Sequence, residues 1–246
     1  MENSEFFRRV DDLADRADRR GVVTRTGFLT PAEQYALKQY PAGGHLVLSG
    51  GQVDCERQVA FFLPAFLDPE DLDVSEHIRA VRIEAHFGVP GHRDYLGAAL
   101  GLGIGRESLG DIRVDGAVAH VFCLPTVAPL LLEELKKVGP WGVSVSPCAL
   151  AEVPSPVIST KALSFTVKSL RLDAVTGAMF GLSRTAAAEQ IRLGAVSLNY
   201  TPCLRADAPV KAGDVISLRG RGKGRLKATG GRSRKDRLFA EAEILL

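Results

Sequence analysis

The 246-residue sequence has few of the residues that build metal centres or disulfide-stabilised folds. Its four cysteines, Cys55, Cys123, Cys148 and Cys203, are widely spaced and form no CxxC pair. Three of them lie in apolar or strand-like runs, where a reduced cysteine behaves as a small hydrophobe. We therefore expect no zinc site, no disulfide framework and no cofactor.

Long apolar runs are also missing, and none approaches the roughly 20 residues that a membrane-spanning helix needs. The first twenty residues are charged and amphipathic, without the apolar centre of a secretion signal. The composition, with 46% hydrophobic and 24% charged residues, is ordinary for a globular protein. These features predict a cytoplasmic protein with no membrane partner.

The small net charge of +2 hides an uneven distribution. Residues 161–246 hold 16 Lys and Arg against 7 Asp and Glu, whereas the other 160 residues hold 15 against 22. The C-terminal third therefore carries +9 and the rest −7. A basic region of this size predicts a polyanionic partner.

Hydrophobic periodicity predicts an α+β protein of three domains. The first, residues 1–72, is an α/β segment with an amphipathic helix over 4–20 and a second helix capped by Thr30 and Glu33 in a capping box. Two strands around a glycine turn follow that helix. An acidic, proline-bearing stretch at 67–76 predicts a linker.

Residues 73–153 predict a ferredoxin-like unit, because strand and helix patterns alternate as β-α-β-β-α-β. RNA-recognition modules share this order and stack bases on aromatic side chains of the third strand. That strand offers only His120 and Phe122 here, which favours a packing or docking domain over a base-stacking sheet. A second linker, with two prolines, is predicted at 151–160.

Residues 161–246 predict two helices followed by a small sheet. Ser183 is expected to cap the second helix, and Arg184 and Arg192 fall on one face of it. The motifs of this region are Arg171-Leu172-Asp173, Ser183-Arg184, Gly194, Val196-Ser197-Leu198-Asn199 and Gly213-Asp214-Val215-Ile216. In this order they resemble the S4-like (αL) RNA-binding domain. Tyr200 stands where that family usually has glycine, which predicts a reshaped turn.

The segment 219–237 has nine basic residues, one acidic residue and five glycines. Strand-like sequences on either side predict that they pair and that the segment is a basic β-hairpin extension in contact with RNA; a mobile, solvated loop is the alternative. The candidate RNA-binding residues of the helices and turn are Arg171, Ser183, Arg184, Thr185, Arg192, Asn199 and Tyr200. Those of the extension are Arg219, Arg221, Lys223, Arg225, Arg232, Arg234 and Lys235.

Further motifs lie in the N-terminal two thirds. They are Phe28-Leu29-Thr30-Pro31-x-Glu33-Gln34, Gly50-Gly51, Glu56-Arg57, Gly91-His92-Arg93-Asp94-x-Leu96-Gly97-Ala98 and Leu102-Gly103-Ile104-x-Arg106-x-x-Leu109-Gly110-Asp111-Ile112. Together with the basic extension they resemble the YlmH family of S4-domain proteins. The resemblance implies a non-enzymatic protein of ribosome-associated quality control, bound to rRNA and tRNA on a large ribosomal subunit carrying stranded peptidyl-tRNA. It also implies a link to cell division and no small-molecule substrate.

Two questions stay open from the sequence. His92, Arg93 and Arg106 form either a second RNA contact or a structural set, with Asp94 as cap or ion-pair partner. The protein could also be a cell-division scaffold or a pseudouridine synthase-like enzyme, because Arg171-Leu172-Asp173 begins a run similar to the synthase motif. That run lacks one residue of the synthase spacing, and too little chain follows it for the catalytic domain.

Overall fold

The chain folds into two compact units, Met1–Pro156 and Val157–Leu246, in a computed structural model. The structure describes residues 2–41, 43, 45–156, 159–233 and 236–245. Both units combine helices with antiparallel strands, so the α+β class is confirmed. The division falls inside the linker predicted at 151–160.

The first unit begins with two helices and a three-stranded sheet of order β1-β3-β2. Its elements are α1 (Glu2–Arg20), β1 (Thr24–Leu29), α2 (Pro31–Gln39), β2 (His45–Ser49) and β3 (Gln58–Leu63). The predicted capping box is present at α2: Thr30 Oγ1 accepts from the Glu33 N–H at 3.3 Å, and the Glu33 carboxylate accepts from the Thr30 N–H at 2.7 Å. The sequence did not predict β1, because the strand contains few apolar residues.

The first unit continues with a five-stranded antiparallel sheet of order β5-β6-β4-β8-β7 and two helices. The elements are β4 (Arg79–Ala85), α3 (His92–Gly101), β5 (Leu109–Asp115), β6 (Val118–Cys123), α4 (Ala128–Glu134), β7 (Lys137–Val138) and β8 (Trp141–Cys148). Apart from the short β7, this is the predicted element order. The first and third strands of the pattern, β4 and β6, are neighbours.

Both faces of β4 and β6 are covered. On one face, Val81 and Val121 pack in a buried cluster with Tyr95 of α3 and Leu131 of α4. On the opposite face, Phe122 is fully buried in a second cluster. Because successive side chains of a strand point to opposite faces, this sheet is a middle layer between helices and another set of elements.

The second cluster joins segments on both sides of the boundary predicted at residue 72. It contains Phe28 of β1 and Phe61 of β3 together with Phe122 of β6. At Gly110 of β5, an added Cβ would lie 2.6 Å from Cε1 of Phe28, so the close approach requires glycine. Residues 1–72 and 73–153 therefore share a core and are not two separately packed domains.

The aromatic side chains of β6 are inside this core. Phe122 has no exposed surface and His120 is 8% exposed. Neither ring can stack on a nucleic-acid base, which agrees with the packing function that the sequence favoured for this sheet.

The second unit pairs two helices with a six-stranded antiparallel sheet of order β11-β10-β12-β13-β14-β9. Its elements are β9 (Thr160–Val167), α5 (Leu172–Phe180), α6 (Arg184–Arg192), β10 (Val196–Leu198), β11 (Thr201–Pro202), β12 (Val215–Leu218), β13 (Gly222–Arg232) and β14 (Leu238–Leu245). The core of this unit is formed by Leu172 and Val175 of α5, Ile191 of α6, and Ile216 and Leu226 of the sheet.

The basic segment is itself a strand, and here the sequence prediction was wrong. We expected the sequences before and after it to pair, but β13 lies between them and is hydrogen-bonded to both β12 and β14. Leu226 of β13 is fully buried, and a Cβ at Gly224 would lie 2.7 Å from Sδ of Met179. Inward glycine and leucine therefore place β13 against α5, while its basic residues alternate outward.

Within the described residues, no helix is long and apolar enough to span a bilayer. In the same part of the chain, no group of three or more His, Cys, Asp or Glu is placed to hold a metal ion. The four cysteines are unpaired, and burial raises the pKa of Cys123 to about 12. A thiol with such a pKa stays protonated and unreactive at neutral pH.

Candidate nucleic-acid interface

The start of α6 is open to solvent. Ser183 is the N-cap, and its Oγ accepts a hydrogen bond from the Ala186 N–H at 3.1 Å, as the sequence predicted. Arg184 and Thr185 follow and are exposed, and the first turn contains no acidic residue. The free N–H groups and the positive end of the helix dipole therefore suit a phosphate group.

A buried carboxylate holds two of the predicted arginines. Asp173 is 4% exposed; its Oδ2 lies 3.1 Å from Nη2 of Arg171 and 3.1 Å from Nε of Arg184. Burial alone would raise the pKa of Asp173, but the hydrogen bonds and charges of the two arginines outweigh it and hold the pKa below its usual value. Arg184 uses only Nε in this bond, so its two terminal nitrogens can bind a phosphate.

Arg192 lies two turns further along α6 and has a different partner. Its guanidinium forms two hydrogen bonds with the Glu189 carboxylate, at 2.5 and 3.1 Å, and the Arg192 side chain is 71% exposed. Both groups are on the surface, where such a pair contributes little and exchanges readily with a phosphate. Arg184 is thus fixed before binding, whereas Arg192 must leave Glu189.

An open cleft of about 350 Å³ lies beside Arg184. Lys168 and Arg237 also line it, while Ala174 and Ala178 of α5 provide small apolar side chains. Neither Lys168 nor Arg237 was among the predicted RNA-binding residues, although both belong to the basic third of the chain. Three basic residues around a shallow cleft can bind adjacent phosphates of one strand.

Asn199, in the turn between β10 and β11, has a different role from the predicted one. Asn199 is 9% exposed; its Nδ2 donates to Oδ1 of Asp214 at 2.9 Å, and its Oδ1 accepts from the Val215 N–H at 3.0 Å. Both ends of the amide therefore fix the turn to β12. This geometry disagrees with the choice of Asn199 as an RNA-binding residue, because its amide group is already engaged.

Tyr200 is the second residue of that two-residue turn. The sequence predicted a reshaped turn, but Asn199 and Tyr200 have φ of 50° and 68°, the conformation of an ordinary tight hairpin turn. A left-handed tyrosine costs about 1–3 kcal/mol, and such strain concentrates at binding sites. The ring is half-buried, and Nζ of Lys223 lies 5.4 Å from its centre.

The outward face of β13 carries a row of cations. Lys223, Arg225 and Lys227 alternate along it, and Nζ of Lys227 lies 3.2 Å from the Glu243 carboxylate of β14. Strand residues two apart are on the same face, and the salt bridge of Lys227 to Glu243, which lies opposite Arg225, keeps Lys227 beside Arg225 although the register shifts at this point. The row can follow a sugar–phosphate backbone.

The other basic residues of this segment lie at its ends. Arg219 is exposed, Arg221 donates to the carbonyl oxygen of Phe180 at 3.1 Å, and Arg232 pairs with Asp236 at 2.6 Å. The predicted contacts Arg234 and Lys235 lie outside the described residues.

The structure gives different surroundings to the residues of the possible second RNA contact, His92, Arg93 and Arg106. His92 and Arg93 are exposed at the start of α3, and Asp94 caps that helix, with its carboxylate accepting from the Gly91 N–H at 2.8 Å. Arg106 instead donates to the carbonyl oxygens of residues 109 and 110, at 2.5 and 3.2 Å, and burial lowers its pKa. Of the two roles that the sequence left open for Arg106, this geometry favours the structural one, and an RNA contact by Arg106 stays a prediction.

Comparisons with known proteins bear on both units. A family model described as "Putative RNA-binding domain in YlmH" matches residues 69–152. The ribosome-associated protein quality control protein P2 of Bacillus subtilis (strain 168) is 31% identical over 214 residues, which cover 86% of this chain and 83% of that protein. The chain belongs to the YlmH family. The solved structure of cell division protein ylmH from Streptococcus pneumoniae has a TM-score of 0.50 and 25% identity, covering 62% of this chain and 94% of its own.

The YlmH family model for an RNA-binding domain matches the first unit, not the second. The match at 69–152 spans β4 to β8, the region in which one face of the sheet is buried under the N-terminal elements. In this YlmH protein, an RNA-binding surface of that region must lie elsewhere than on the buried face.

Proposed function

We propose that this protein is a non-enzymatic, cytoplasmic RNA-binding factor of ribosome-associated quality control. It binds rRNA and tRNA on large ribosomal subunits that carry stranded peptidyl-tRNA. Its second unit acts as an S4-like domain and the β4–β8 region as a ferredoxin-like domain. The observation that carries the proposal is the pair Arg171 and Arg184, held by buried Asp173 beside the acid-free first turn of α6.

This arrangement suits structured RNA because it is fixed before binding. A guanidinium held by a buried carboxylate loses little freedom when it binds a phosphate, so more of the contact energy is retained. The adjacent helix start adds backbone donors, and the row on β13 adds charge that follows the strand. The name of the Bacillus subtilis relative supports the ribosome as the place of binding.

The same geometry supports a role without catalysis. In a pseudouridine synthase-like reaction, the aspartate of the Arg-Leu-Asp motif would have to attack a base. Asp173 is in the first turn of α5, bonded to two arginines, and 4% exposed. We expect no altered nucleosides by mass spectrometry after incubation with ribosomal RNA; new pseudouridine would contradict the non-enzymatic proposal.

Sedimentation tests the proposal. Full-length protein mixed with Bacillus subtilis large subunits, with and without bound peptidyl-tRNA, is run on a sucrose gradient. We expect co-sedimentation with large subunits, stronger when peptidyl-tRNA is present, and loss of it in Arg184→Ala. Protein that stays at the top of the gradient with both kinds of subunit would overturn the proposal.

A further inference from the structure

The β4–β8 region presents an unusual surface on its helical side. The loop before α3 exposes two apolar side chains, Phe87 (83% exposed) and Val89 (68%). His92 and Arg93 follow at once and are exposed too. Contiguous exposed apolar groups are typical of interaction sites, whereas single exposed ones are ordinary.

The loop holds these apolar groups in a fixed place. The His86 N–H donates to the Gly142 carbonyl at 3.0 Å, and its Nε2 lies 2.7 Å from Oγ of Ser144. Gly88 has φ +76°, and a Cβ there would lie 2.1 Å from Nε1 of Trp141. Since the loop is fixed to β8 on both sides of Phe87, the exposure of that ring follows from a packed backbone.

The outer face of α3 extends this surface. Arg93, Gly97 and Leu100 are exposed and fall at i, i+4 and i+7, hence on one side of the helix. An added Cβ at Gly97 would meet nothing within 4 Å, so packing does not require glycine there. We define Phe87, Val89, His92, Arg93, Gly97 and Leu100 as the α3 patch.

The charge of the patch favours an anionic partner. Arg93 has no ion pair among the described residues, although its unit as a whole is acidic. The carboxylate of Asp94 is engaged with the Gly91 N–H. Exposed Lys137 on β7, which packs beside α3, adds positive charge.

We infer that the α3 patch binds RNA at an unpaired nucleotide, with Phe87 stacking on the base and Arg93 binding the adjacent phosphate. This inference rests on the proposed function and locates a second contact. An exposed, fixed ring is how proteins recognise unstacked bases, and a neighbouring guanidinium binds their phosphates. The match to an RNA-binding family model at 69–152, in a region with one buried sheet face, agrees with this surface.

The test uses full-length Phe87→Ala/Arg93→Ala, with Phe66→Ala/Arg16→Ala as matched control. Phe66 is 76% exposed and Arg16 is an exposed helical arginine, both outside the patch. The probes are deproteinised Bacillus subtilis 23S rRNA and a base-paired RNA duplex. We expect the patch variant to lose at least about tenfold in affinity for 23S rRNA, because the lost stacking contact alone accounts for that factor, and to bind the duplex like the control.

The variant Gly97→Ala distinguishes a binding role of the α3 patch from a structural role. The added methyl group has room and improves helix propensity, so we expect a higher melting temperature together with weaker 23S rRNA binding. Ultraviolet cross-linking to the same RNA should give an adduct within residues 86–93.

Each other outcome overturns the inference. If the patch variant keeps its affinity for 23S rRNA while Arg184→Ala loses it, the patch is not an RNA contact and the proposed function stands. If the patch variant fails only on intact large subunits, the partner is a ribosomal protein. If unaltered protein binds neither RNA, the proposed function fails as well.

Discussion

The helix pair and the basic strands of the second unit hold their cations in opposite ways. Arg171 and Arg184 share a buried carboxylate, whereas the cations of β13 stand on an outward strand face with exposed partners. A fixed cation determines where a phosphate must lie; a row of exposed ones attracts any polyanion. We therefore expect the helices to discriminate between RNAs and β13 to add affinity without discrimination.

The largest effect is expected from the helix face. Arg184→Ala with Arg192→Ala should weaken binding to the preferred RNA by roughly 2–4 kcal/mol, taking about 1–2 for each charge-assisted contact. Arg205→Ala with Lys211→Ala removes the same charge elsewhere in the unit. Titration against the preferred RNA and a scrambled competitor measures the affinities of both double variants. Equal losses of affinity in the two would show that only net charge matters.

A smaller effect, on stability, is expected from Asp173→Asn. Losing a buried, charge-assisted partner should cost about 1–3 kcal/mol in the free energy of unfolding. Because the folded pKa of Asp173 is lowered, its contribution is present at neutral pH and disappears as the pH falls through that pKa, below about 4.

Denaturant unfolding of both proteins between pH 7 and pH 3 checks this prediction. The difference between them should shrink as the pH falls. A constant difference would mean that the carboxylate charge of Asp173 does not stabilise the fold.

The third prediction concerns Arg225→Gln with Lys227→Gln on β13. Deleting the basic segment would remove a central strand, so neutralising its outward face is the cleaner change. We expect weaker binding to all RNAs and a log–log salt slope smaller by about 0.7–0.9 for each lost phosphate contact. If this variant no longer discriminates between RNAs while its salt slope is unchanged, recognition belongs to β13 and not to the two helices.

The smallest effect is expected from Tyr200→Gly. Glycine relieves the left-handed strain, so the unit should be stabilised by about 1 kcal/mol, or roughly 4–8 °C in melting temperature for a domain of this size. RNA affinity should fall slightly if the ring touches a base. A lower melting temperature would mean that the ring's packing outweighs the strain.

The sequence predicted features whose causes are local. The capping box at Thr30 and the cap at Ser183 depend on residues three positions apart, and both are present. The linker at 151–160 could be predicted from prolines alone. Membership of the YlmH family also followed from short motifs.

Features that depend on distant segments were missed. β13 has the composition of a solvated loop; its strand character follows from Gly224 and Leu226 fitting beneath α5. The shared core of residues 1–72 and 73–153 was also missed, because it joins Phe28 and Phe61 to Phe122 across the predicted boundary. The burial of both faces of β6 could have been predicted, because its nearly continuous apolar run is typical of a strand covered on both faces.

The pairing of β9 with β14 bears on how the protein is made. Residue 160 lies opposite residue 245 in the register, and among the strands that the structure describes β9 has β14 alone as its neighbour. Synthesis proceeds from the N-terminus, so β9 stays without a partner until β14 has left the translating ribosome. The sheet of the second unit can therefore be completed only after β14 has been synthesised, long after β9. If RNA binding needs this sheet, as we propose, a chain that lacks β14 does not compete for the RNA.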